Sequence, residues 1–199
     1  MHIHHTKGEI ISFYQFSHQR DFFIEEALQN KIFVYPTDTL YGIGGVFNHK
    51  NIEKINLMKG RNTSKKLTII APSFERMFEN FYVKNPEYVL KAFEEYHGVT
   101  YILEPRNPSW EYSLYETAYD DNTIGVRIIK HPFQDFVTTL WVPFIATSAN
   151  FSAGPNIHTI HELNECISST ADYIIDGNEV YGIPSVIIYP ETETVVYRQ

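Results

Sequence analysis

Thiol chemistry has little place in this 199-residue chain: Cys166 is its one cysteine, so an internal disulfide, a dithiol pair and a multi-cysteine zinc site are all excluded. Uninterrupted apolar runs near the roughly 20 residues of a membrane span are missing, and the first residues lack a signal-peptide core. A cytoplasmic protein without membrane contact is therefore expected. Cations are also scarce. The 16 Lys and Arg against 24 Asp and Glu give a net charge of −8, which opposes extended, non-specific nucleic-acid binding. Internal repeats and low-complexity linkers are absent, so residues 1–199 are expected to form one domain. What the chain has in quantity is aromatic: 14 Phe, 14 Tyr and 2 Trp. With 43% hydrophobic residues, this content suits a folded core and excludes a disordered chain.

Short runs rich in Ile, Val, Tyr and Phe mark strands at 31–35, 67–71, 99–103, 124–129, 144–147, 172–175, 185–189 and 194–198. Helical patterns lie between them. Asn85-Pro86 supplies a cap and a first-turn proline for a helix with Val89, Phe93 and Tyr96 on one face. Ser73 caps another, carrying Phe74, Met77, Phe78 and Phe81. Thr159 and Glu162 have capping-box spacing, and Ile160, Leu163 and Ile167 mark a buried stripe on which Cys166 is expected in the core. The expected fold is α/β, a twisted mixed sheet flanked by helices. Residues 104–122 lack periodicity and read as a surface excursion, either a lid or an ordered loop with Trp110 against the core. His2, His4 and His5 resemble a metal cluster, but residues 1–8 read as a flexible or tag-like terminus.

Three segments carry polar chemistry directly beside apolar runs. Pro36-Thr37-Asp38-Thr39-Leu40-Tyr41-Gly42 follows Ile32-Phe33-Val34 and offers directional hydroxyls and one carboxylate, as a ligand loop or as a self-bonded turn. Asp38 has two readings, orienting a donor or a metal-bound water, or capping the turn, and the turn cap is preferred. Lys59-Gly60-Arg61 and Lys65-Lys66 form a local cationic excess suited to a polyphosphate, or to a solvated helix end. Thr147-Ser148-Ala149-Asn150 follows a third apolar run. Ligands of open α/β sheets gather at the carboxyl ends of strands, so the three segments are expected to converge there.

Taken together, PTDTLYG, KGR, Gly125-Val126-Arg127, TSANFSAGP, Pro184-Ser185 and the terminal Arg198 resemble, in order and spacing, the YrdC family of threonylcarbamoyl-adenylate synthases. The resemblance spans nearly the whole chain. It implies a YrdC-like fold and the union of L-threonine, bicarbonate or carbon dioxide, and ATP, with Mg²⁺ accompanying the nucleotide and pyrophosphate released. It also implies that Lys59 and Arg61 act at the phosphates, that Ser148, Asn150, Ser185 and Arg198 complete the ATP site, and that Thr37, Thr39 and Tyr41 line the threonine end. Arg127 has two readings, a substrate-carboxylate contact or a buried partner for a structural acid. The implied downstream partners are tRNA threonylcarbamoyl-transferase proteins, with RNA itself a further candidate.

The chain departs from the family pattern at Asn62 and Lys66, where proline is usual, at Tyr96-His97-Gly98-Val99 before Thr100, and at Val186 after Pro184-Ser185. Two alternative functions stand beside the main one: a non-catalytic RNA-binding module, and a related carbamoyl-adenylate-forming enzyme with another substrate.

Overall fold

Runs of β-branched and aromatic residues pair into one mixed sheet, and the capped amphipathic segments between them cover it. The structure, a computed structural model, describes residues 8–60, 67–106, 123–152 and 154–197. β1 (Glu9–Ser12) leads into α1 (Phe13–His18) and α2 (Arg20–Leu28). β2 (Phe33–Tyr35) and β3 (Gly42–Gly44) flank the first polar loop, and α3 (His49–Met58) precedes β4 (Thr68–Ile70). Then come α4 (Phe74–Asn80), β5 (Phe81–Tyr82), α5 (Pro86–Glu95), β6 (Val99–Pro105), β7 (Ile124–Arg127), α6 (Phe133–Leu140) and β8 (Phe144–Ser148). The order closes with α7 (Glu165–Thr170), β9 (Tyr173–Asp176), β10 (Val186–Tyr189) and β11 (Thr194–Val196).

The strands bond in the order β1-β9-β2-β3-β8-β4-β7-β6-β10-β11, with β5 added beside β6. The sheet contains both parallel pairs (β1 with β9, β4 with β7) and antiparallel ones (β2 with β3, β8 with β4), so it is mixed as expected. All eight expected strands are present. β1, β3 and β5 are additional, and β3 turns the first polar segment into the connection of an antiparallel pair.

Register decides which side chains meet the helices, because alternate residues face opposite sides of a strand. Ile43, Ile145, Ile69, Val126 and Tyr101 share one face, where they pack with Ile52, Ile55 and Met58 of α3, Met77 of α4, Val89 of α5 and Ile167 of α7. Phe33, Tyr35, Ile70 and Phe144 face the other side and pack with Phe16 of α1, Phe23 of α2 and Phe133 and Phe136 of α6. Each such aromatic contributes about 1.5–3 kcal/mol through burial. Further along this second face the residues become small or hydroxylated: Gly42, Ser148, Ala146, Thr68 and Gly125 stand in register across β3, β8, β4 and β7.

Ser73 and Asn85 cap α4 and α5 as expected, accepting from the amides of Arg76 and Tyr88. The 159–167 segment differs. Its capping box closes only a 3₁₀ turn over Ile160–Glu162, and Asn164 caps α7 afresh by accepting from Cys166 N. That restart places Ile167 inward and leaves Cys166 exposed rather than in the core. The His2–His5 cluster and the excursion around Trp110 lie outside the described residues.

Candidate substrate-binding groove

The β2–β3 connection is ordered by the Thr37 hydroxyl. Its oxygen accepts from Thr39 N at 3.0 Å and Leu40 N at 3.2 Å, and its hydrogen goes to Leu40 O at 2.7 Å. The Thr37 and Thr39 hydroxyl oxygens lie 3.0 Å apart. Thr39 Oγ1 in turn accepts from Arg127 Nη1 at 3.2 Å.

Asp38 does not cap this turn. Its Oδ1 accepts from Arg127 Nη2 at 2.6 Å and its Oδ2 from Lys130 N at 3.1 Å, so the carboxylate crosses from the loop to the exit of β7. Both side chains are enclosed, 1% and 11% exposed for Asp38 and Arg127. The turn-cap reading fails because Thr37 already supplies the local acceptor, leaving Asp38 to satisfy the buried guanidinium. Arg127 Nε finds no partner among the described residues and remains a donor.

Tyr41 turns its hydroxyl away to residues 177–178, donating to Asn178 O at 2.7 Å and accepting from Gly177 N at 2.9 Å. Burial pushes its pKa up to about 12, opposed by the Gly177 amide and reinforced by Asp176. The same 177–185 segment lies directly on the Thr37–Thr39 loop: a Cβ at Gly182 would strike the Thr39 backbone and approach Asp38 O to 2.6 Å. At its end, Ser185 Oγ lies 2.7 Å from Thr100 Oγ1.

The second polar turn leaves β8. Ser148 Oγ donates to Asn150 Oδ1 at 2.5 Å, and Asn150 Nδ2 donates to Gly154 O at 2.7 Å. Lys59, at the end of α3, is fully buried. Its Nζ donates to Ser148 O, to Asn150 O at 2.7 Å and to Asn150 Oδ1 at 3.4 Å.

These elements open onto a cavity of about 310 Å³, at the small end of ligand pockets. Thr37, Thr39, Tyr41, Arg127, Ser148 and Ser185 all line it. Lys59 and Asn150 do not line it but bond the turn that carries Ser148. Arg61 and Arg198, like Asn62 and Lys66, lie outside the described residues. The cavity crosses the sheet face rather than gathering at strand ends, because the small residues of β3, β8, β4 and β7 line up there. Sequence reasoning missed the Thr68, Thr100 and Thr123 that also border it, whereas Thr147 belongs to the third polar segment already singled out. Hydroxyls at 68 and 100, opening otherwise apolar strands, were the available signal.

Such a site can bind a carboxylate at Arg127 and offer hydroxyls along a groove. Among the described residues, no carboxylate lines the cavity and no cluster of three or more His, Cys, Asp or Glu suited to a metal occurs. Asp38 is committed to Arg127 and Lys130, so the described side chains do not fit a protein-held Mg²⁺.

Comparisons with known proteins agree with this architecture. Residues 26–199 match the Sua5, YciO and YrdC family profile, described as telomere recombination. A relative from Methanocaldococcus jannaschii, named a putative threonylcarbamoyl-AMP synthase, is 28% identical over 96% of this chain and 91% of its own. The crystal structure of P. abyssi Sua5 complexed with L-threonine superposes with a TM-score of 0.74 at 23% identity, covering 92% of this chain. This chain spans about half, 54%, of that protein. E. coli YciO gives a TM-score of 0.74 at 18% identity, covering 96% and 93% of the two chains. By this match over most of its length, the chain belongs to the Sua5, YciO and YrdC family.

Proposed function

We propose that the groove synthesises L-threonylcarbamoyl adenylate from L-threonine, bicarbonate or carbon dioxide, and ATP, acting as a nucleotidyltransferase. The observation that carries this reading is that the Thr39–Arg127 end and the Ser148 turn open into one cavity. One end suits an amino-acid carboxylate and the other a nucleoside, and both products of sequence resemblance meet there. The synthase names of relatives and the L-threonine complex of P. abyssi Sua5 support it.

In the proposed reaction the threonine amine bonds to carbon dioxide and loses a proton, giving a carbamate. A carbamate oxygen then bonds to the α-phosphorus of ATP as the bond to the β-phosphate oxygen breaks, and pyrophosphate leaves. No enzyme nucleophile is required. The chain's task is to hold two reactants together and keep water from the short-lived carbamate. Arg127, pinned by Asp38 and Thr39, would orient the threonine carboxylate through the N–H hydrogens that those two contacts leave unused. Thr37 and Tyr41 would fix the loop wall, and Ser148, Asn150 and Ser185 would bind the nucleotide. Arg61 and Arg198 would meet the triphosphate, where positive charge stabilises the transfer. Mg²⁺ would enter with ATP as its counter-ion.

The product would pass to tRNA threonylcarbamoyl-transferase proteins in the cytoplasm. Direct RNA binding is the weaker reading, since the −8 charge opposes phosphate neutralisation. Pyrophosphate release measured across an amino-acid panel, with and without bicarbonate, tests the proposal. Release that requires both L-threonine and bicarbonate is expected; release indifferent to the amino acid would overturn it.

A further inference from the structure

Thr68 carries the further inference, which deepens the proposed synthesis and rests on it. We infer that the Thr68 hydroxyl contacts the carbamate formed on the threonine amine: it donates to one oxygen of that group and leaves the other turned to the nucleotide. Register, access and a free hydrogen converge on this residue. Thr68 of β4 stands opposite Gly125 of β7 in a parallel pair, and Arg127 lies two residues further on, opposite Ile70. On its other side Thr68 stands opposite Ala146 of β8 in an antiparallel pair. Ser148 therefore lies two residues away in the reverse direction, where it meets Gly42. At roughly 3.3 Å per strand residue, Thr68 is about 7 Å along the strands from the level of Arg127 one way and of Ser148 the other. All three residues line the one cavity.

Access comes from Gly125. A Cβ there would approach Thr68 Oγ1 to 2.8 Å, so its absence opens the hydroxyl to the groove. The hydroxyls around it are engaged elsewhere: Thr100 Oγ1 lies 2.7 Å from Ser185 Oγ, Ser148 Oγ donates to Asn150, Tyr41 to Asn178 O and Tyr35 to Ile145 O. Thr68 Oγ1 makes no hydrogen bond among the described residues and keeps its hydrogen for a ligand. Threonine held by its carboxylate at Arg127 carries its amine two bonds from the carboxylate carbon, and the carbamate carbon one bond beyond, over the middle of this floor. The carbamate is planar with two equivalent oxygens, of which one must reach the α-phosphorus. A single donor on the other removes the equivalence and fixes the plane. A neutral donor suits the task, since a cation would stabilise the carbamate before the transfer and blunt its attack. Thr68 keeps its proton throughout: the N–C bond forms as the amine gives a proton to water, and the O–P bond forms as the bond to pyrophosphate breaks.

N-carbamoyl-L-threonine, a stable compound with the same planar carbonyl on the threonine nitrogen, is the probe. It is titrated calorimetrically, beside L-threonine, into wild type, Thr68→Val and Thr68→Ser. Valine keeps the β-branched shape a strand favours and removes only the hydroxyl. Thr68→Val should bind N-carbamoyl-L-threonine about tenfold more weakly and L-threonine within about twofold of wild type, and Thr68→Ser should recover the loss. At saturating substrates, kcat for the adenylate should fall about tenfold in Thr68→Val with KM for threonine and ATP unchanged. Equal weakening of both ligands would place Thr68 at the threonine end and overturn the inference, as would no weakening of either, or a serine variant that recovers nothing. If Thr68→Val does not fold, the Thr68 methyl resonance of wild type decides: it should shift with N-carbamoyl-L-threonine and not with L-threonine, and a shift with both or with neither would overturn the contact. Wild type that binds no L-threonine would sink the proposed synthesis and this inference with it, whereas wild type that makes the adenylate while Thr68→Val matches it throughout would sink the inference alone.

Discussion

Asp38 and Arg127, 89 residues apart in sequence, form a buried ion pair with Oδ1 and Nη2 2.6 Å apart. Because Arg127 lies in β7 and Asp38 in the β2–β3 loop, this one contact sets the loop's position over the sheet face. Removing one member of a buried pair leaves the other charge uncompensated. Asp38→Ala should therefore cost about 3–5 kcal/mol in urea unfolding and lower threonine affinity with it. A loss below about 1 kcal/mol, within the range of an exposed pair, would contradict the structural role.

His131 predicts an acid-side instability. Burial lowers its pKa, with the nearby Asp38 charge opposing that shift. Its Nδ1 accepts from Phe133 N at 3.1 Å at the start of α6, an acceptor that protonation removes. A depressed folded pKa means stability that is present above the unfolded value, about 6.5, and lost as pH falls. Unfolding free energy should drop from pH 7.5 to 5.5, and His131→Asn, whose amide oxygen can still accept, should flatten that drop. An unchanged pH slope in the variant would remove His131 as the cause.

Gly125 tests whether the groove on the sheet face is where ligand sits. A Cβ there approaches Thr68 Oγ1 to 2.8 Å and Thr100 Cγ2 to 3.1 Å, so a larger side chain grows into the cavity. Valine suits a strand, and Gly125→Val should retain the fold with a stability change of about 1–3 kcal/mol or less. Turnover should fall at least about tenfold, the scale on which pocket volume changes discriminate ligands. A folded variant with wild-type turnover would move the site elsewhere.

The limits of the sequence reading have physical causes. Short runs of β-branched and aromatic residues mark eight strands, but β3 hides in Gly42-Ile43-Gly44, where two glycines signal a loop more strongly than one isoleucine signals a strand. β3 nevertheless sets the register that brings Gly42 opposite Ser148. The hydroxyl and guanidinium groups of the cavity were legible as residue types, yet their convergence on a sheet face depends on strand order, which local pattern does not encode. Asp38 looked like a turn cap because Asp often is one; its true partner stands 89 residues away. Cys166 was misplaced by a helical stripe that assumed one helix, where Asn164 begins a second.

The measurement that tests the central claim most directly is the mass of the product. Purified protein incubated with ATP, Mg²⁺, L-threonine and ¹³C-bicarbonate should yield threonylcarbamoyl adenylate one mass unit heavier than the product from unlabelled bicarbonate, together with equimolar pyrophosphate. An adenylate lacking the label, one formed equally from other amino acids, or no adenylate at all would contradict the account.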